Sequence, residues 1–170
     1  MGGNLKTTAD MKETMADALI QLLAEKPIGK ITVPAVVNLA GVGRMSYFRN
    51  FSSKEEMITY KLIRLWNKWA DEKQLSERSS YTLENAHDFF AFNWSIRPLL
   101  CLIYRHNLQS AMYEAFYQIM APKQKSNAAK AYRSRFYSYG LFGLLDEWIK
   151  RDFQESPEEM VDIIYKISQP

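Results

Sequence analysis

The chain has 170 residues, 47% of them hydrophobic, seven glycines, six prolines and a net charge of +3. This length allows one or two small domains with a real core, and the mild positive balance permits a polyanionic partner without demanding one. The single cysteine, Cys101, excludes an internal disulfide and a cysteine metal cluster. No apolar run reaches a membrane span and the N-terminus has no apolar signal core, so a soluble, cytoplasmic, membrane-free protein is expected.

The first periodic segment is about 9–26. Met11, Met15, Ala18, Leu19, Leu22 and Leu23 share one helical face, Thr7 or Thr8 can cap the start, and Pro27 and Gly29 stop it. KITVPAVVNLAG follows. Its valines would suit a strand, but a Thr32 cap, Pro34 in the first turn and Gly41 at the end favour a short helix with Val33, Val36, Val37 and Ala40 inward. A third helix is expected at about 43–50, with Tyr47 and Phe51 four residues apart on its buried side. Ser52 or Ser53 caps a fourth, running to about 74, with Glu55 and Glu56 near its positive end and Ile58, Leu62, Leu65 and Trp69 at helical spacing. The serine-rich 74–82 reads as a loop. Helices then follow near 82–95, 98–106, 108–121, 126–151 and 157–168, divided by Pro98, Pro122 and Pro157. The expected fold is all-α, about nine helices: an N-terminal three-helix helix-turn-helix domain at 1–55 and a C-terminal helical bundle at 56–170.

Charge singles out the first part. Between Glu25 and Glu55 there is no acid, while Lys26, Lys30, Arg44, Arg49 and Lys54 are present. Acids beside a phosphate backbone would be repelled, and two short helices joined by a tight glycine turn present the second to a DNA major groove. The plain alternative is a helical corner with a solvated basic face.

ITVPAVVNLAGVGRMSYFRNFSSKEEMI, 31–58, resembles the DNA-binding domain of the TetR family of bacterial transcription regulators. YSYGLFGLLDEWIKRDFQESPEEMVDII, 137–164, resembles the C-terminal domain of a subgroup common in Firmicutes. The first resemblance implies that Thr32 caps the second helix and touches a phosphate. Arg44 and Met45 would face base edges, and Ser46 a base or phosphate. Phe48, Arg49 and Asn50 would line the backbone and groove wall, and Lys54 would hold a phosphate. Arginine suits guanine and methionine packs on a thymine methyl. Three positions depart from the commonest family pattern: Pro34 stands at a frequent base-reading position, Phe48 replaces a frequent tyrosine, and Gly43 replaces a frequent serine or threonine.

The family also implies a small-molecule inducer in the C-terminal bundle and a dimer seam of two helices from each chain. For the inducer site the sequence offers Phe89, Phe92, Trp94, Tyr104, Tyr113, Phe116 and Tyr117, a lining suited to an apolar or aromatic effector; ordinary bundle packing is the alternative. For the seam it offers Tyr139, Gly140, Gly143, Leu144 and Trp148, with Met160, Ile163, Ile164 and Ile167 on the last helix; a monomer core is the alternative. Catalytic and metal residues are not expected, nor is a cofactor. His87 and His106 do not pair with Cys101 on one helical face, and Cys101 is expected buried. The expectation is a ligand-responsive homodimeric repressor of a near-palindromic DNA operator. The rival is a coactivator of the same fold that docks on another regulator and binds DNA weakly.

Overall fold

The computed structural model describes residues 7–75, 86–120 and 127–168. They form α1 (Thr8–Glu25), a 3-10 turn (Ile28–Lys30), α2 (Val33–Ala40), α3 (Arg44–Asn50), α4 (Lys54–Glu72), α5 (Ala86–Ser95), α6 (Arg97–Arg105), α7 (Gln109–Met120), α8 (Ala128–Lys150) and α9 (Pro157–Ser168). The fold is all-α, as expected. The expected loop at 74–82 lies mostly outside the described residues, as do Pro122 and the first turn expected before Ala86.

Local signals explain the boundaries. Thr7 and Asp10 form a reciprocal cap on α1: the Thr7 hydroxyl accepts from Asp10 N, and the Asp10 carboxylate accepts from Thr7 N at 3.0 Å. Thr32 Oγ1 accepts from Ala35 N at 3.3 Å, and Pro34 sits in the first turn of α2, where its missing N–H leaves nothing unpaired. Gly41 closes α2 at φ 64°, a conformation that a side chain disfavours, and Val42 N then donates to Val37 O. Segment 33–40 is therefore helix rather than strand. At α4, Ser53 Oγ accepts from Glu56 N, while the Glu56 carboxylate accepts from Ser52 N and Ser52 Oγ, both at 2.7 Å. These bonds, the backbone one first, hold the Glu56 carboxyl below its usual range.

The chain divides into two compact units. The first comprises 1–64 and 102–115, the second 65–101 and 116–170. α4 is one unbroken helix through the expected boundary at 55/56.

In the first unit α1, α2 and α3 pack together around Met15, Leu19, Leu23, Ile31, Val36 and Val37. Lys61 on α4 pairs with Glu13 and, at 2.6 Å, with Asp17 on α1. Burial alone would lower the Lys61 pKa, but the hydrogen bonds to Asp17 and Glu13 outweigh it and raise it. Two side-chain bonds tie in the 102–115 segment: Thr59 Oγ1 donates to Ala111 O at 3.0 Å, and His106 Nε2 donates to Leu23 O at 2.7 Å. His106 is thus half-buried and engaged.

In the second unit α5 packs on α9, and the core is aromatic. Trp94 stacks on Trp148 at 5.7 Å, and Phe90 and Phe153 meet Trp148 edge-on. Trp148 Nε1 donates to Glu155 O, which satisfies the one polar atom of that buried ring. Asn93 is fully buried: its Nδ2 donates to Phe89 O, but its Oδ1 has no partner. Cys101 is exposed rather than buried, because the inward side of α6 is set by Leu100 and Ile103 and position 101 falls off it.

Candidate nucleic-acid interface

α3 has only seven residues, and two rings fix its orientation. Tyr47 and Phe51 are buried with ring centroids 6.4 Å apart, and Phe51 meets Tyr60 of α4 edge-on at 5.8 Å. The Lys12 ammonium lies over both Phe51 and Tyr60, at 5.0 and 4.6 Å, and closes this cluster on the α1 side. Burial first, then the charges of Glu55 and Glu56, push the Tyr47 phenol pKa up, so it stays neutral.

With that side anchored, the helical period turns four residues outward. Arg44 and Arg49 are exposed, Met45 is 61% exposed and Phe48 54%. Met45 and Phe48 stand three residues apart, so they are neighbours on one side of the helix rather than scattered singly. The Arg44 guanidinium lies 5.6 Å from the Phe48 ring, one helical turn away, so Phe48 gives it a platform.

The other expected contacts are placed differently. Ser46 is half-buried, and its hydroxyl donates to the Met11 sulfur at 3.7 Å. Asn50 folds back on its own helix, with Nδ2 donating to Ser46 O at 2.7 Å. Both therefore brace α3. Thr32 is exposed at the start of α2, and its hydroxyl, accepting from Ala35, keeps a proton to donate. Lys54 is half-buried, and its ammonium donates to two backbone carbonyls, Ile28 O at 2.7 Å and Ile31 O at 3.0 Å. Sequence spacing carried no sign of that arrangement, since its partners lie 26 and 23 residues away. Gly43 starts α3 without a side-chain cap, at φ −71°, where a Cβ would meet nothing within 4 Å.

The seven aromatic residues expected around an effector do not share one unit. Tyr104 and Tyr113 belong to the first unit; Phe89, Phe92, Trp94, Phe116 and Tyr117 belong to the second. There Phe89 packs on Phe116 at 5.5 Å, Phe92 on Trp66 and Trp69, and Trp94 on Trp148. The Arg135 guanidinium covers Tyr117 at 3.7 Å. These rings fill one another's space as core packing does.

Among the residues expected at a dimer seam, Trp148 is corrected to the core. It is 1% exposed and enclosed by Phe90, Trp94 and Phe153 of its own chain, and Met160 is buried as well. Tyr139, Gly140, Gly143 and Ile167 are exposed; Leu144, Ile163 and Ile164 are half-buried. Tyr132 and Phe136, 79% and 75% exposed, continue the Tyr139–Gly140–Gly143 stripe up α8 at spacings of three and four. The same spacing was readable, but nothing in it told an outward ring from an inward one.

Among the described residues no helix is long and apolar enough to cross a membrane. Residues 16–60 match the family model described as bacterial regulatory proteins of the tetR family, and residues 72–170 match the transcriptional regulator C-terminal region. No curated protein matches the chain. The second match alone spans more than half the chain, and the first covers the helix-turn-helix: this is a DNA-binding transcriptional regulator that belongs to the TetR family.

Proposed function

We propose that the protein is a homodimeric, ligand-responsive repressor, cytoplasmic, which reads a near-palindromic operator with two copies of α3. Residues 1–55 serve as the DNA-binding part and 56–170 as the ligand-binding and dimerisation part. The observation that carries this reading is the outward face of α3: Arg44, Met45, Phe48 and Arg49 stand open while Tyr47 and Phe51 anchor the opposite side. Arg44 offers a bidentate donor for guanine O6 and N7, and Met45 beside it suits a thymine methyl. Arg49 and the hydroxyl of Thr32 suit phosphates.

A two-fold operator requires two copies of the chain, and the open stripe on α8 supports that part of the proposal. Tyr132, Phe136 and Tyr139 supply apolar area, and Gly140 and Gly143 let a second helix approach closely. An effector bound among residues 56–170 would favour a spacing of the two recognition helices that no longer matches the operator, and so release DNA.

Selection of bound genomic fragments tests the reading. Enriched fragments should share inverted half-sites about one helical turn apart, centre to centre. Absence of enrichment refutes it. The coactivator reading, favoured by the apolar exposure of Leu39, Met45 and Phe48, requires instead that DNA be retained only when a partner regulator is added.

A further inference from the structure

We propose that Lys54 is a positioning residue that braces the helix-turn-helix from within, rather than a ligand for a DNA phosphate. The inference rests on the DNA-binding role of α3 and refines how that role is supported.

Lys54 is the first residue of α4, where the helix dipole presents its positive end. A cation there is repelled by its own helix, so something else must hold it. The holders are the carbonyl oxygens of Ile28 and Ile31, at 2.7 and 3.0 Å. Two of the three ammonium protons are thereby committed, and the side chain is half-buried rather than extended into solvent. Ile31 itself is buried and stands immediately before Thr32, the cap of α2. Ile28 begins the 3-10 turn that delivers the chain to α2.

The geometry closes a ring. At one end α2 and α3 are joined by the Gly41–Gly43 turn. At the other, α3 ends at Asn50, and four residues later the Lys54 ammonium reaches back to the start of α2. Charge-assisted bonds to two carbonyls are among the stronger side-chain contacts. Without them α2 and α3 would be tied through their turn and their apolar packing alone, and the angle of α3 to the groove would loosen. Affinity would then fall for every sequence while the number of phosphate contacts stayed the same.

Two measurements separate this from a phosphate contact. The first is amide hydrogen exchange on the free protein. Lys54→Met should speed exchange at Ala35 and Val36, which donate to Thr32, about ten-fold, with the α1 amides unchanged; Lys54→Arg, which keeps the donors, should restore protection. The second is the salt dependence of binding to a fragment recovered by genomic selection. Lys54→Met should weaken binding at all salt concentrations with an unchanged slope, whereas Arg49→Met should lower the slope by about 0.9, the loss of one phosphate contact. A slope for Lys54→Met that falls by about 0.9, unchanged exchange at Ala35 and Val36, or exchange that rises equally throughout α1 would each overturn the brace. If no fragment is recovered, the DNA-binding reading fails instead, and the exchange measurement still decides what Lys54 does.

Discussion

Replacing Gly140 and Gly143 together by alanine should raise the stability of the single chain and weaken its self-association. Both glycines lie inside α8, and a Cβ added at either meets no atom within 4 Å. Glycine inside a helix is about 1 kcal/mol less favourable than alanine, so the double variant should gain about 2 kcal/mol of folding stability as a monomer. At a two-fold seam each substitution is felt in both chains, which places four new methyl groups between the helices. Overpacking of this kind costs about 1–3 kcal/mol or more, and at 3 kcal/mol the dissociation constant rises about 100-fold. Sedimentation velocity over a dilution series gives that constant, and thermal unfolding at the lowest concentration gives the monomer's stability. A double variant that is more stable but dimerises within about three-fold of wild type would remove α8 from the seam. One that is less stable even when dilute would mean that the helix is not open at these positions.

Operator recognition gives a second test: Arg44→Ala should flatten discrimination at one base pair per half-site by about 1–3 kcal/mol, and equal weakening at every position would contradict a base contact. Phe48→Leu should reproduce part of that loss through Arg44 whereas Phe48→Tyr should not, as measured on the same base-pair panel. Asn93→Leu should add about 1 kcal/mol of stability and so raise the melting temperature, because it removes an acceptor that is buried without a partner; a lower melting temperature would refute this account. Gln74, at φ 56° after α4, holds a left-handed backbone that its Cβ disfavours, so Gln74→Gly should stabilise by about 1 kcal/mol in a denaturant titration. Glu56 has a depressed pKa when folded, so its contribution is full above the ordinary glutamate value near 4.5 and is lost as pH falls through the folded value. The stability gap between wild type and Glu56→Gln should therefore hold constant above about pH 5.5 and shrink on acidification; a gap that widens would reverse the sign.

The parts of this molecule legible in the sequence were those written in local chemistry. Thr32, Pro34 and Gly41 each settle their own few residues of backbone, so α2 was readable although its valines argue for a strand. Tyr47 and Phe51 were readable as anchors because four-residue spacing puts both on one side of a short helix. Trp148 was not. On a long helix with aromatic residues on several faces, spacing shows which rings share a stripe but not which stripe is covered by Phe90, Trp94 and Phe153 from elsewhere. The contacts of Lys54 were unreadable for a related reason: a lysine at a helix start looks like a free cation until the carbonyls of Ile28 and Ile31 are seen beside it. The hydrogen bonds of Ser46 and Asn50 were not readable either, because their partners, a sulfur on α1 and a carbonyl of α3, leave no pattern in the chain.

The first unit is built from two stretches of chain, 1–64 and 102–115. On the ribosome these arrive at different times. Residues 65–101 lie between them, about 2–7 s of synthesis at about 5–20 residues per second. Through that interval the Leu23 carbonyl and the Thr59 hydroxyl wait for His106 and Ala111. The first unit therefore finishes assembly only after residues 65–101 of the second have been made. A gene truncated just beyond α4 would encode the recognition helix but not the whole body that carries it.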